Sequence, residues 1–147
     1  MEVEIITELE KMREFLLTYP KWEEGQLLYI DRCDEGEVGL FPLGVEEISR
    51  KTDLLGNTQV YARMQFTLYR SGGEREADAL WLLHFQKWLA EMSICGNAPV
   101  FGDVPGEERL RAEKGHLENS RGNGRLYAVT LTAEFVKIYK EDTYGEN

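Results

Sequence analysis

The chain is poor in the residues that usually announce chemistry. It holds two cysteines, two histidines and four prolines in 147 residues. Cys33 and Cys95 lie far apart, with no Cys-x-x-Cys and no His–Cys spacing, which argues against a metal site. Both read as free, half-buried thiols of a reducing cytoplasm. No apolar run approaches the roughly 20 residues needed to span a bilayer. The acidic, helical opening is unlike a secretory signal. There is no GxGxxG, no P-loop and no GxSxG elbow, and the Gly-rich spots at 71–73 and 121–124 lack the lysine and the strand-to-helix context. Internal repeats and low-complexity segments are also missing. Basic residues are outnumbered, 17 against 27 acidic, for a net charge of −10. Phosphate recognition needs lysine and arginine, so this balance argues against nucleic-acid and membrane partners and favours solubility.

What is present suits a folded domain. Hydrophobic residues make up 42% and aromatics 11%, unlike a disordered chain. A chain of this length buries roughly 70% of its unfolded surface, and one domain over residues 1–147 is expected.

The chain is organised around residues 63–102. Val60, Ala62, Met64, Phe66 and Leu68 alternate with Tyr61, Arg63, Gln65, Thr67 and Tyr69, the period of a strand with one buried face. Ser71-Gly72-Gly73 breaks it. A helix over about 74–94 then aligns Ala77, Trp81, Phe85, Trp88 and Met92, with Leu80, Leu82, Leu83 and Leu89 widening the stripe. Each large side chain fully buried contributes roughly 1.5–3 kcal/mol, so this helix is expected to lie on the sheet.

The other elements follow in order. A helix over about 3–19 carries Ile5, Leu9, Met12, Leu16 and Tyr19 at helical spacing, with Glu2, Glu4 and Glu8 at the favourable end of its dipole. Pro20 ends it. After a turn at 22–25 comes a short strand, 26–33, and an acidic turn, 34–37. Residues 38–43 contain Gly39 and Pro42, which predict an edge strand or extended loop. Residues 45–52 predict a charged, half-exposed strand. Residues 53–57 form a hairpin loop with two leucines. Gly96 fits a helix-closing left-handed residue and Pro99 blocks continuation. A weak strand is expected over 108–118, a turn at 119–124 and a clean strand from 125 to about 140, with Tyr127, Val129, Leu131, Ala133 and Phe135 on one face. Residues 141–147 read as a frayed tail. The class is α+β: a mostly antiparallel sheet of four to five strands with two helices packed on one face.

Candidate catalytic groups are few. His84 reads as a packed or edge histidine of the core helix, and His116 lacks a cysteine or serine partner at a suggestive spacing. Cys95 follows a helix C-terminus, where the dipole opposes a thiolate. The acidic pairs Glu23-Glu24, Glu46-Glu47 and Glu107-Glu108 read as solvated surface. No catalytic, cofactor or metal residue is selected.

The segment Trp81-Leu82-Leu83-His84-Phe85-Gln86-Lys87-Trp88-Leu89, followed by Gly96-Asn97-Ala98-Pro99-Val100-Phe101-Gly102, resembles the central block of a prophage family of minor capsid and tail-terminator-like proteins. The last strand, Arg125 to Phe135, and the helix ending in Leu16, Leu17 and Pro20 are similar to that family too. The resemblance implies a structural protein of the phage head–tail connection, not an enzyme and without a cofactor. Such proteins form a ring, usually hexameric, that caps the tail tube and meets head-completion proteins. The implied location is the virion, and the bacterial cytoplasm during assembly. An acidic lumen would let DNA pass without sticking. Phe41, Leu54, Leu55 and Phe101, read as exposed loop residues, are the candidates for ring contacts. Two other classes stand beside this one: a small cytoplasmic adaptor that binds through its first helix, and an enzyme using His84 or His116.

Overall fold

Two long alternating strands carry the architecture. In the computed structural model, β3 (Thr58–Gly72) and β5 (Gly124–Tyr139) pair antiparallel along fifteen consecutive positions, from Thr58 opposite Tyr139 to Gly72 opposite Arg125. The structure describes residues 2–22, 26–34, 36–72, 75–121 and 124–140; side chains of 2–7, 75–78, 119–121 and 124–125 are not described. The expected turn at 22–25 lies partly, and the tail at 141–147 wholly, outside the described residues. The turn expected at 119–124 is shorter, since 119–121 and 124 belong to strands and only 122–123 lie outside the described residues. So do the side chains of Ile5 and Ala77.

The remaining elements are α1 (Glu2–Leu16), β1 (Leu28–Ile30), β2 (Val38–Thr52), α2 (Arg75–Ile94) and β4 (Arg109–Arg121), with a short 3-10 turn at Pro105–Glu107. Among the described residues the sheet order is β1-β2-β3-β5-β4, and only the three-residue β1–β2 pairing is parallel. This is the α+β arrangement expected, with five strands.

One face of the sheet is apolar because both central strands keep strict alternation. Ala62, Met64, Phe66 and Leu68 of β3 lie beside Phe135, Ala133, Leu131 and Val129 of β5, and all are buried. Over them sit Trp81, Leu82, Phe85 and Leu89 of α2, and Met12, Phe15 and Leu16 of α1 with Tyr19 just beyond it. The helices meet through aromatic rings: Phe15 stacks on Trp88 at 5.0 Å, and Tyr19 meets Phe85 edge-on at 5.3 Å. Leu80 and Leu83 of α2 point to solvent instead, so the buried stripe is narrower than the expected one. Gly96, at φ +76°, closes α2, and the Asn97 N–H reaches back to the Met92 carbonyl at 2.8 Å.

Three expectations need correction. The stretch 38–52 is one strand, not an edge segment followed by another. Its first residues, Val38 to Leu40, lie between β1 and β3, so that end is central. Pro42 is accommodated because β1 has already ended and the ladder skips a residue between Pro42 and Gly44. Phe101 is not exposed: it is 4% accessible and packs against Phe135 at 6.1 Å. Its loop is pinned inward because Glu108 accepts from the N–H groups of Phe101 and Gly102, at 3.0 and 2.7 Å. Cys95 is exposed; only Cys33 is half-buried.

Candidate interaction surface

Beyond Pro42 the β2–β3 hairpin loses burial on its β2 side, while Ala62 and Met64 of β3 opposite it stay buried. Residues 42–52 of β2 are all exposed, including Leu43, Val45 and Ile48. The hairpin ends in a turn held by Asp53. Its carboxylate accepts from the N–H groups of Leu55 and Asn57, both at 2.9 Å, and its own N–H donates to the Asn57 carbonyl at 2.9 Å. Gly56 takes the left-handed φ of +87° that closes the turn. Because the turn is internally satisfied, its two central side chains are free to point outward. Leu54 is fully exposed and Leu55 is 79% exposed.

Of the four residues expected to make contacts, these two stand together at the tip. Phe41 is a half-buried β2 residue that meets Tyr69 edge-on at 5.2 Å on the sheet face away from the helices. Phe101 faces the core. Phe41 and Phe101 were expected at a contact surface because of their loop-like sequence context; the fold removes that context from Phe41 and buries Phe101.

At the base of the hairpin, on the helix side, lies a mostly apolar groove of about 300 Å³. It is lined by Pro42 and Val45 of β2, Val60 of β3, Phe101, Phe135 of β5 and Leu9 of α1. Glu8, Glu47 and Lys137 also line it. Sequence reading missed this groove, because its walls come from five separate segments. The one available signal was the apolar content of a strand, β2, that also looked charged.

The other face of the sheet is polar and internally paired. Glu134 of β5, its side chain only 9% exposed, takes Arg111 at 2.8 Å and Arg63 at 3.1 Å. Arg63 also reaches Glu46 at 3.0 Å, and Arg111 reaches Glu113 at 3.4 Å. Thr132 donates to Glu113 and receives from Gln65, tying the three strands β3, β5 and β4 together. Burial pushes the Glu134 carboxyl up, but the two guanidinium groups outweigh it and hold its pKa below the ordinary carboxylate value. The Tyr61 hydroxyl is pushed up, first by burial and then by the Glu134 carboxylate.

The histidines do not converge on a site. His84 is an exposed residue of α2. His116 is exposed on β4, its Nδ1 at 2.5 Å from the Lys114 carbonyl and its Nε2 at 2.6 Å from the Glu118 carboxylate. Both contacts raise its pKa above the ordinary histidine value, the carbonyl most. Burial pushes the Cys33 thiol up, the opposite of what a nucleophile needs. Among the described residues, no group of three or more His, Cys, Asp or Glu side chains is arranged to hold a metal ion. No described helix is long and apolar enough to cross a membrane. Against known proteins, no protein-family profile and no curated protein matches the chain.

Proposed function

We propose that the chain is a structural protein of a phage or prophage head–tail connection, acting as a ring that caps the tail tube and joins it to head-completion proteins. One observation carries the reading: the β2–β3 hairpin ends in a hydrogen-bonded turn that presents Leu54 and Leu55 to solvent. Exposing two adjacent leucines on a hydrogen-bonded tip has a cost in water, and contact with another protein removes it. The net charge of −10 supports a channel protein that does not retain DNA. The aromatic helix α2 and the strand β5, whose sequences carry the family resemblance, form the middle of the fold.

The adaptor reading draws no support from α1. Its apolar stripe, Met12, Phe15 and Leu16, is spent on the chain's own core.

Light scattering across a concentration series tests the proposal. A discrete closed oligomer, or capture of the protein by purified tail tubes, is the expected result. A chain that stays monomeric and ignores tail tubes would overturn it.

A further inference from the structure

The hairpin tip and the groove are complementary parts carried by one chain that cannot meet within it. Glu47 is the outermost β2 residue of the groove. Leu54 lies seven residues further along, roughly 20 Å of strand. Resting on the ring reading above, we infer that Leu54 and Leu55 of one copy seat in the groove of the next copy, joining copies head to tail.

Three observations choose a second copy as the occupant. The first is size. An apolar void of roughly 150 Å³ takes one benzene-sized group. The groove's volume of about 300 Å³ therefore suits two leucine side chains. The second is charge. The groove wall carries two carboxylates, Glu8 and Glu47, against one ammonium, Lys137. The strand behind the tip carries Arg50 and Lys51, while the Asp53 carboxylate is turned onto its own backbone. Glu47 already pairs with Arg50 at 2.5 Å and Glu8 stands 3.8 Å from Lys11. Such exposed pairs are weak, so the added charge match steers the approach more than it holds the contact. The third is what the hairpin edge disfavours. β2 has register shifts at Pro42/Gly44 and Glu47/Ser49, and it bears Glu46, Glu47, Arg50 and Lys51. Bulges, proline and charge are the devices that keep an edge from adding a strand. Contact through the side chains of the tip is left. A tip-in-groove contact is heterologous, and heterologous contacts generate rings when the rotation closes.

The test uses the full-length chain with Cys95→Ser as background, retaining half-buried Cys33. Leu54→Cys and Val45→Cys are prepared as separate variants, mixed in equal amounts and oxidised in a glutathione buffer. Both positions are exposed, so folding is expected to be unaffected. The mixed disulfide, joining a Leu54→Cys chain to a Val45→Cys chain, should dominate, well above a Leu83→Cys control on α2. Predominant linkage of Leu54→Cys chains to one another would indicate a tip-to-tip contact and overturn the proposal. So would linkage no greater than the control, or a Val45→Cys thiol shielded from alkylation yet linked to no copy.

Leu54→Glu should weaken self-association at least about tenfold, equivalent to losing one buried leucine. A ring of unchanged mass in that variant would sink the docking mode and leave the ring reading standing. Disulfide-linked copies that grow into open chains and never close would do the reverse.

Discussion

Glu134 is the residue whose surroundings make the sharpest demand. It is nearly buried, yet it stands among three strands and binds two guanidinium groups. Glu134→Gln should lower stability by about 1–2 kcal/mol in urea unfolding near neutral pH. That is below the full worth of charged hydrogen bonds, because Arg63 and Arg111 keep enough exposure to hydrate when released. The folded pKa of Glu134 is depressed. Its contribution is therefore complete above the unfolded carboxylate value and is lost as pH falls through the folded value below it. The gap between wild type and Glu134→Gln should shrink on acidification in the same assay. His116 behaves oppositely. Its folded pKa is raised, so whatever stability it lends is present below the ordinary histidine value and fades as pH rises through the folded one. Proton NMR should place its titration above that of a free histidine, and Glu118→Gln should move it down. The Glu134 cluster was not legible in the sequence, whereas the His116 contacts are local, to Lys114 and Glu118 on the same strand. Arg63, Arg111 and Glu134 are separated by tens of residues, and only the register of β3, β5 and β4 makes them neighbours.

Elements differ in how plainly they announced themselves, and the difference is periodicity. β3 and β5 keep an unbroken two-residue alternation, and their buried faces were readable residue by residue. β2 does not. Two register shifts move its apolar residues out of phase, so it read as two fragments. α2 was recognised, but Leu80 and Leu83 belong to its solvent side. The same contrast between core and surface predicts mutational costs. Leu16→Ala in α1 removes a side chain with no solvent exposure and should cost about 2–5 kcal/mol. Leu83→Ala on the solvent side of α2 should fall within about 0.5 kcal/mol of wild type. Thermal or urea denaturation of the two variants decides this. Gly39 marks another dependence between elements. A Cβ there would run into the carbonyl of Arg32, whereas one at Gly106 would meet open space. Gly39→Ala should disturb the junction of β1 and β2 and lower the melting temperature, with Gly106→Ala as the silent comparison.

For the whole molecule, charge sets the conditions under which the proposed ring would assemble. Copies that each carry −10 repel one another before any contact forms. Raising ionic strength from about 10 mM to about 150 mM shortens the Debye length from roughly 30 Å to roughly 8 Å. Self-association followed by sedimentation should therefore strengthen over that range. The reverse trend would mean that paired charges, not apolar contact, dominate the interface. At this scale the α+β class and the helix-covered sheet were legible from pattern alone. The placement of β5 between β3 and β4 was not, since strand order depends on pairing partners that alternation cannot name. The groove stayed hidden for the same reason.

The long β3–β5 ladder also bears on how the chain is made. Its partners lie on either side of α2 and β4, so every one of its rungs joins residues distant in sequence. Such contacts close late, because the entropy of the intervening chain must be given up before they form. On the ribosome, β3 can pair with β2 soon after both emerge. Its other edge must wait until β5 has left the exit tunnel, and the apolar side of the sheet is incomplete until then. The nascent protein therefore passes through an interval as an open hairpin with greasy, unfinished faces, the kind of species that chaperones hold.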